Sequence, residues 1–327
     1  MTSPDTLPGA VPPRRRLPVT PEALRSSLAR LPRPRGGFPL TAPTWPGTLP
    51  RPVERSTLGA AYDSGWARTY PARFARVLLV EFVTRPGVAL IARPKVEGLD
   101  RIAHLHEPAI FAANHSSHVD TPLLLSVLPD RWRHHTVVAG AADYFFDTRL
   151  KSTLFALSIN AIPLERTRVS RESVNRAAAL LRDGWSLVIF PEGGRSPDGW
   201  AHPHTAGAAW LAVRTGRPVV PVHLAGTRDI LPRNSSRLRP GPTQVTFGHP
   251  IRPGADTDAR ELAARVEASI ARLADERSTD WWAAARRAAA GETPDPGGPP
   301  AAAWRRAWAL PGRDRPSGGD SHRWPRA

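Results

Sequence analysis

Residues 186–195 read SLVIFPEGGR, an apolar run that stops abruptly at a proline and a group of polar residues. A short apolar run with such an end is typical of a buried strand. A second run of this kind, PAIFAA at 108–113, stops at Asn114. The intervening segment 171–183 has apolar residues at helical spacing and a glycine just past its end, as a helix does. Strands that alternate with helices predict an α/β fold.

Further elements follow the same alternation along the middle of the chain. We expect strands at 136–141, 159–164, 219–224 and 244–247, and helices at 123–128, 205–216 with Thr205 as its N-cap, and 258–273. This order predicts a largely parallel, mixed sheet that is flanked by helices. Ligands of such sheets gather in the loops that follow the carboxyl ends of the strands. We therefore expect Asn114-His115, Glu165-Arg166 and Glu192–Arg195 at one edge of the sheet.

The two ends of the chain differ in composition from the middle. Thirteen of the 37 prolines fall within residues 1–60, and such segments bury too little apolar surface to offset the entropy lost on ordering. The stretch after Thr279 is rich in alanine, proline, arginine and tryptophan. These compositions predict disordered tails at 1–60 and 280–327, an amphipathic helical segment at 61–93, and one folded domain at 94–279.

The charge balance indicates an anionic partner. The chain has 45 Lys+Arg against 29 Asp+Glu, a net charge of +16. The positive charge is densest in the two tails, and no nucleic-acid-binding module is recognisable. We therefore expect an anionic membrane surface as partner and no nucleic acid. The absence of cysteine excludes disulfides, cysteine zinc sites and a thiolate nucleophile.

The segment Phe74–Ala92 is apolar but is interrupted by charged residues and a proline. It does not meet the requirement of about 20 nearly uncharged residues for a membrane-spanning helix. One interpretation is an ordinary amphipathic helix that covers the domain. The other is a helix in the membrane interface, with Arg68, Arg73 and Arg76 toward headgroups and Phe74, Val77, Leu78 and Phe82 toward acyl chains. We expect a cytoplasmic protein held peripherally at the inner face of the cell membrane.

The segment NHSSHVD at 114–120 separates His115 from Asp120 by four residues, at a predicted strand–helix junction. Histidine is the side chain best suited to accept a proton near neutral pH. A carboxylate on its other ring nitrogen fixes the tautomer and stabilises the imidazolium. The spacing therefore predicts His115 as a general base that Asp120 orients.

Three other interpretations of this segment remain open. Asp120 can be a helix N-cap, which is compatible with the pair. His115, His118 and Asp120 are residue types that bind metals, although no further cluster offers a fourth ligand. Ser116 or Ser117 can be a nucleophile, but the strained G-x-S-x-G turn is absent.

Three further motifs follow, and each has a structural explanation when taken singly. Residues 162–168 read IPLERTR, residues 190–196 read FPEGGRS, and residues 218–222 read PVVPV. Arginine suits a phosphate because its planar fork donates two parallel hydrogen bonds. Paired glycines let backbone amides approach a ligand. In this order and spacing, the motifs and the His-Asp segment resemble the four blocks of the glycerophospholipid acyltransferase family, over residues 94–255.

The resemblance implies an O-acyltransferase of the 1-acylglycerol-3-phosphate type, with residues 94–279 as the acyltransferase domain. It implies a lysophospholipid acceptor, acyl-CoA or acyl-carrier protein as donor, and neither a metal nor a cofactor. By the resemblance His115 is the base and Asp120 its orienter. It assigns the binding of the acceptor's glycerol-phosphate part to Arg166, Glu192, Gly193, Gly194 and Arg195. It assigns the acyl-donor side to Pro221.

The chain departs from the family pattern at three places. Gly194 stands where the family usually has threonine, which removes a hydroxyl donor. Pro163-Leu164 replaces an aromatic and a branched residue, and Asn160 replaces a glycine. Two alternatives are therefore kept. One is the same chemistry on another lipid or alcohol, such as an ornithine lipid or a glycolipid. The other is a non-catalytic basic protein that binds membranes or nucleic acid.

Overall fold

A computed structural model describes residues 59, 62–164, 171–196, 199–231 and 237–297, to which all structural statements refer. The predicted tail at 1–60 lies almost entirely outside these residues, as does the end of the predicted tail at 280–327. Seven strands form one sheet. Their bounds are β1 Pro94–Glu97, β2 Ile110–Ala113, β3 Thr136–Ala141, β4 Ala161–Leu164, β5 Ser186–Ile189, β6 Val219–Ala225 and β7 Thr243–Phe247.

Helices cover both faces of this sheet. Their bounds are α1 Tyr70–Leu79, α2 Arg85–Ala92, α3 Asp120–Val127, α4 Asp130–Arg133, α5 Ala142–Phe145, α6 Arg149–Ile159, α7 Arg171–Arg182, α8 Gly207–Thr215, α9 Thr227–Ile230, α10 Ala259–Ser278 and α11 Trp281–Ala290. A π-helical turn, Val80–Thr84, joins α1 to α2. Short 3-10 turns lie at Gly65–Arg68 and Asp100–Ile102.

The strand order across the sheet is β1-β7-β6-β2-β5-β3-β4. Strands β6, β2, β5, β3 and β4 run parallel to one another. Strand β7 pairs antiparallel with β6, and β1 runs parallel to β7. The predicted α/β fold with a largely parallel mixed sheet is therefore confirmed. Because β2 and β5 are neighbours, the polar residues that follow them meet at the same edge.

Strand β2 separates two hydrophobic cores. Phe111 belongs to the core on the face that α2 and α3 cover. Ile110 and Ala112 belong to the core on the other face, which α7, α8 and α10 cover. Successive side chains of a strand point to opposite faces, so all four residues of β2 are buried. The end of this strand is therefore a rigid starting point for the loop that begins at Asn114.

The strand predicted at 159–164 begins two residues later than expected. Ile159 ends α6, and Asn160 is its C-cap in the left-handed conformation, with φ +53°. Asparagine tolerates this conformation, which glycine otherwise adopts at helix ends. The side-chain amide of Asn160 also donates to the carbonyl of Thr136 at 3.0 Å. This departure from the family pattern therefore keeps the conformation that a glycine would allow.

The prediction that Thr205 caps the helix at 205–216 is wrong. The N-cap of α8 is Ala206, and no side-chain oxygen caps this helix. The hydroxyl and the backbone N–H of Thr205 both donate to the carbonyl of Pro191, each at 2.9 Å. Thr205 therefore bonds the end of the loop after β5 to its beginning, and it does not start the helix.

The interfacial interpretation of this segment does not hold for Arg76, one of the three arginines that it turns toward headgroups. Arg76 is 6% exposed, and its guanidinium donates to two carbonyls in the last turn of α6, which lack helical partners. Burial lowers the pKa of Arg76 to about 10. Arg73 lies over the ring of Trp185, and Arg68 donates to the hydroxyl of Ser64. Arg73 and Arg76 therefore attach the helical segment to the domain.

The segment 70–92 covers the domain and also exposes an apolar stripe. Its buried side chains include Val80 and Val88, the latter in the core beneath α2. Val77 is half-buried. The stripe consists of Tyr70, Phe74, Leu78, Phe82 and Val83 and, on α6, Leu150 and Leu154; Leu90 of α2 is exposed as well. Among the described residues, no helix has both the length and the apolar character needed to cross a membrane.

The predicted disorder of residues 280–327 is wrong for their first part. Residues 281–290 form α11, which the side chain of Asp280 caps. The helix packs on α10, where Arg287 pairs with the buried carboxylate of Asp275 at 2.9 Å. Alanine favours helices and allows close packing. A composition that resembles low complexity therefore forms a regular element here.

Gly98 tests how closely β1 must approach β7. Its φ is +74°, and an added Cβ would lie 2.1 Å from the carbonyl oxygen of Phe247. We expect Gly98→Ala to lower the free energy of unfolding by about 2 kcal/mol or more, because the backbone must shift. Urea denaturation followed by circular dichroism measures this change.

Gly87→Ala is the matched control, because Gly87 lies within α2 and an added Cβ meets nothing within 4 Å. We expect this variant to be as stable as the wild type or more stable by about 0.5–1 kcal/mol. A Gly98→Ala protein as stable as Gly87→Ala would contradict the close approach.

Candidate active site

One carboxylate oxygen organises the loop after β2. Asp120 is fully buried, and its Oδ2 accepts a hydrogen bond from Nδ1 of His115 at 2.8 Å. The same oxygen accepts the backbone N–H groups of Ser116 at 2.7 Å and Ser117 at 2.8 Å. Asp120 is the first residue of α3 and not its N-cap. The predicted hydrogen bond between His115 and Asp120 is therefore formed. The backbone of the residues between them is bonded to the same carboxylate.

The ring of His115 is held from two sides. Its Nδ1 faces a carboxylate, so we assign the proton to Nδ1 and the lone pair to Nε2. The ring stacks on Phe190, with centroids 4.1 Å apart and planes inclined by 20°. The side chain is 16% exposed. A basic Nε2 in this fixed orientation is suited to take a proton from a substrate hydroxyl.

Glu192 joins the loop after β5 to the loop after β2. Its Oε1 accepts the backbone N–H of His115 at 2.8 Å, and its Oε2 accepts that of His202 at 3.0 Å. The backbone N–H of Ser196 donates to the carbonyl of His115 at 2.8 Å. Both backbone groups of His115 are thus bonded to the neighbouring loop. Glu192 is 7% exposed, and its binding of substrate stays a prediction.

The glycine pair and Arg195 follow in the same loop. Gly193 has φ +67°, and its N–H donates to the carbonyl of Phe190 at 3.0 Å, which closes a turn. Gly194 is buried beside it. The guanidinium of the half-buried Arg195 contacts Nε2 of His118. These residues therefore lie at the predicted edge beside His115, and their binding of an acceptor stays a prediction.

Pro221 lies inside the sheet. It belongs to β6, opposite Ala112 of β2. Its carbonyl accepts the N–H of Gly248 at 2.8 Å, just past the end of β7. The N–H and C=O of a strand residue point the same way, so the missing N–H faces the point where the β7 ladder has ended. The sheet tolerates this proline for that reason, and its role toward the acyl donor stays a prediction.

Arg166 lies outside the described residues. The structure follows β4 to Leu164 and resumes at Arg171. Strand β4 is the outermost strand on its side, beyond β5 and β3. The part of Arg166 in acceptor binding therefore stays a prediction.

The two other interpretations of the His-Asp segment gain no support from the contacts. Ser117 is fully buried, and its hydroxyl donates to the carbonyl of Leu231 at 2.7 Å and accepts the N–H of Val119 at 3.1 Å. The hydroxyl of Ser116 lies 3.1 Å from that of Thr227. Within the part of the chain that the structure describes, no three His, Asp or Glu side chains are grouped to hold a metal ion.

Comparison with known proteins identifies the middle of the chain. Residues 93–225 match the family model described as Acyltransferase. This segment is therefore similar to the Acyltransferase family, and we call residues 93–225 the acyltransferase segment. It contains His115, Asp120, Glu192–Arg195 and Pro221, so the loops after β2 and β5 both lie within it.

Curated relatives of this acyltransferase segment carry one name. The chloroplastic 1-acyl-sn-glycerol-3-phosphate acyltransferase BAT2 of Brassica napus is 30% identical over 167 residues, which are 48% of this chain and 44% of the relative. The 1-acyl-sn-glycerol-3-phosphate acyltransferase of Cocos nucifera is 34% identical over 147 residues, 44% of this chain and 46% of the relative. The chain therefore spans about half the length of the curated relatives it matches.

A solved structure shows the same fold. The 1-acyl-sn-glycerophosphate (LPA) acyltransferase PlsC of Thermotoga maritima superposes with a TM-score of 0.52 at 24% identity. The superposition covers 67% of this chain and 88% of that chain. The likeness supports the α/β architecture with the mixed sheet.

A cavity of about 90 Å³ lies beside His115 of the acyltransferase segment. The loops after β2 and β5 form one side. His223 of β6, Glu267 of α10 and Pro296 after α11 contribute to the other. The backbone N–H of Ala201 donates to the carbonyl of Pro296 at 3.0 Å. The sequence patterns did not indicate Glu267 and Pro296 as site residues. Glu267 lies on a polar helix face, and Pro296 lies in a segment with the composition of a tail.

Two of the histidines that line this cavity are uncharged at neutral pH. Burial lowers the pKa of His204 to about 4, and burial and the nearby Arg277 lower that of His223 to about 4. The Nδ1 atoms of both rings are buried and have no hydrogen-bond partner among the described residues. Burial raises the pKa of Glu267, with a further contribution from Asp295. The cavity therefore presents neutral imidazoles beside a carboxylate.

The buried histidines predict a loss of stability in acid. The unfolded chain protonates a histidine near pH 6.5, but the folded chain does so only near pH 4. The free energy of unfolding should therefore fall as the pH drops through this window, because the unfolded state binds the proton more tightly. Urea denaturation at pH 7, 6, 5 and 4 measures the slope.

His223→Gln removes one titrating group, so we expect a shallower fall than in the wild type. His106→Gln changes an exposed histidine and should keep the wild-type slope. Equal slopes in all three proteins would show that His223 titrates normally in the folded state.

Proposed function

We propose that this chain transfers a fatty acyl group from acyl-CoA or acyl-carrier protein to a hydroxyl of a lysophospholipid such as 1-acylglycerol-3-phosphate. The proposal rests on the 2.8 Å hydrogen bond from His115 to the buried Asp120. The backbone of His115 is also bonded to Glu192, in the loop that carries Arg195. The names of the relatives support the reaction class. The chemistry requires neither a metal nor a cofactor, because the thioester donor is itself a substrate.

The reaction consists of one displacement at the thioester carbonyl. Nε2 of His115 removes the proton of the acceptor hydroxyl as its oxygen attacks the carbonyl carbon. Asp120 stabilises the imidazolium that forms. When the tetrahedral intermediate collapses, the carbon–sulfur bond breaks and the imidazolium returns the proton to the departing thiolate. The products are the ester and the free thiol, and no acyl-enzyme forms, in keeping with the absence of cysteine.

The acceptor needs a group that holds its phosphate close to His115. Arg195 is suited to this role, because a guanidinium donates two parallel hydrogen bonds to a phosphate. Its loop is bonded to the backbone of His115. Arg166 and the Gly193-Gly194 pair complete the proposed acceptor side, and Pro221 is proposed on the donor side. Glu192 contributes chiefly by fixing the distance between the two loops.

Replacement of His115 tests the reaction. We expect His115→Ala to lower kcat by about 100-fold or more, because the general base is lost. The assay follows thiol release with purified protein, acyl-CoA and acyl-carrier protein as donors, and 1-acylglycerol-3-phosphate, a lyso-ornithine lipid and a monoacylglycerol as acceptors. His106→Ala, at an exposed position, should retain wild-type turnover.

The acceptor panel separates the alternatives. If only the lyso-ornithine lipid or the monoacylglycerol is acylated, the proposed reaction stands, but its acceptor is not a lysophospholipid. No turnover of any acceptor by the wild type would contradict an acyltransferase, and near wild-type turnover by His115→Ala would contradict the general base.

We further propose that the protein attaches peripherally to anionic membranes at the inner face of the cell membrane. The apolar stripe of α1, α6 and the turn between α1 and α2 supports this, with Phe82 73% exposed and Leu150 81% exposed. The exposed Arg149 and Lys151 flank Leu150. Apolar side chains that enter the interface and cations that meet headgroups are the two components of such attachment.

A double variant tests the attachment. We expect Phe74→Glu with Phe82→Glu to reduce binding to anionic vesicles by about tenfold or more, because two charges must leave water at the interface. Sedimentation with vesicles of phosphatidylglycerol and phosphatidylcholine across a salt series measures binding, which salt should weaken by screening.

Trp210→Glu is the control, because Trp210 is also exposed but lies on α8, at the opposite face of the sheet. It should bind like the wild type. Equal binding by the double variant and the wild type would exclude the stripe, and wild-type binding that resists alkaline carbonate would exclude peripheral attachment.

A further inference from the structure

The side chain of Arg195 ends against an imidazole that the reaction itself does not use. Its Nη1 contacts Nε2 of His118, three residues after His115 in the loop between β2 and α3. We propose that His118 is a positioning residue that holds Arg195 at a fixed distance from the catalytic base. This inference rests on the proposed function, in which Arg195 binds the acceptor phosphate.

Both backbone segments at this contact are already fixed. Ser117 and Val119, which flank His118, are tied by the Ser117 hydroxyl and by the carboxylate of Asp120. On the other side, the N–H of Ser196 bonds the carbonyl of His115 at 2.8 Å. An arginine side chain has about 2 kcal/mol of rotamer entropy to lose on binding. An imidazole that holds it beforehand reduces this cost.

His118 meets Arg195 as an uncharged acceptor. Burial, with the nearby Arg195 charge, lowers the pKa of His118 to about 4. At neutral pH the ring is therefore neutral, and its Nε2 accepts a hydrogen bond from the guanidinium. A carboxylate at this position would hold the arginine equally well but would cancel its charge. The imidazole orients the guanidinium and adds no negative charge that would compete with a phosphate.

The consequence is selectivity for acceptors with a phosphate near the attacking hydroxyl. His115 and His118 belong to one rigid loop, so the base and the held guanidinium keep a constant separation. An acceptor with a phosphate monoester close to its hydroxyl contacts both groups at once. An acceptor without phosphate gains nothing from His118. The effect of His118 should therefore appear in the acceptor KM and depend on the phosphate.

The test compares His118→Ala with His118→Gln in the full chain. We expect His118→Ala to raise the KM for 1-acylglycerol-3-phosphate about tenfold or more, while kcat and the KM for the donor change less than about twofold. The side-chain oxygen of Gln can accept the same hydrogen bond, so His118→Gln should stay within about threefold of the wild type. His106→Ala is the control and should match the wild type.

A double-mutant cycle shows whether His118 acts through Arg195. In an Arg195→Ala background, His118→Ala should produce no further increase in KM, because the group it positions is absent. Additive effects would overturn the inference. An unchanged KM in His118→Ala would do the same, as would a loss of kcat that Gln does not rescue, which indicates a merely structural role.

Direct binding separates this inference from the proposed reaction. Titration of glycerol 3-phosphate into wild type, His118→Ala and His118→Gln by calorimetry requires no turnover. We expect about tenfold weaker binding in His118→Ala and near wild-type binding in His118→Gln, even if no acceptor is turned over. Equal affinity in all three proteins, or no binding by the wild type, would overturn the role of His118. Thermal melts of each variant establish that it is folded.

Discussion

The geometry of the site depends on one of the two buried oxygens of Asp120, Oδ2, which accepts three hydrogen bonds. A buried carboxylate is unfavourable unless hydrogen bonds satisfy it, and here one imidazole and two backbone N–H groups converge on one atom. The same three bonds leave the intervening residues one conformation. The orientation of His115 and the position of His118 therefore both follow from the need to satisfy this charge.

The sheet brings the second loop to the first. Strands β2 and β5 are neighbours, and Glu192 bonds the backbone of His115 across 77 residues of sequence. Glu192 and Ser196 take up both the N–H and the C=O of His115. His115 is thus placed by the carboxylate of Asp120 on one side and by the loop after β5 on the other. These bonds also keep the loop that carries Arg195 next to His115.

The sequence patterns predicted the elements that depend on residues close together in the chain. The strands β2 and β5 are buried on both faces, so they read as apolar runs, and the His115–Asp120 spacing lies within one loop. Features that depend on distant partners were missed. The charge of Arg76 predicted a surface position, but the unpaired carbonyls at the end of α6 bind it in the interior. The composition around Arg287 predicted disorder, but the buried Asp275 holds α11 on α10.

Two acidic residues outside the acyltransferase segment, Glu267 and Asp295, lie at or near the cavity beside His115. Glu267 of α10 lines the cavity beside His115, and Asp295 lies near enough to raise its pKa. Two carboxylates disfavour a phosphate there, whereas Arg195 favours one on its own side. In the proposed complex, the acceptor therefore has one orientation, with its phosphate toward Arg195 and its uncharged part toward the imidazoles of His204 and His223. A family match that ends at residue 225 includes Arg195 but omits Glu267 and Asp295, so it cannot report this asymmetry.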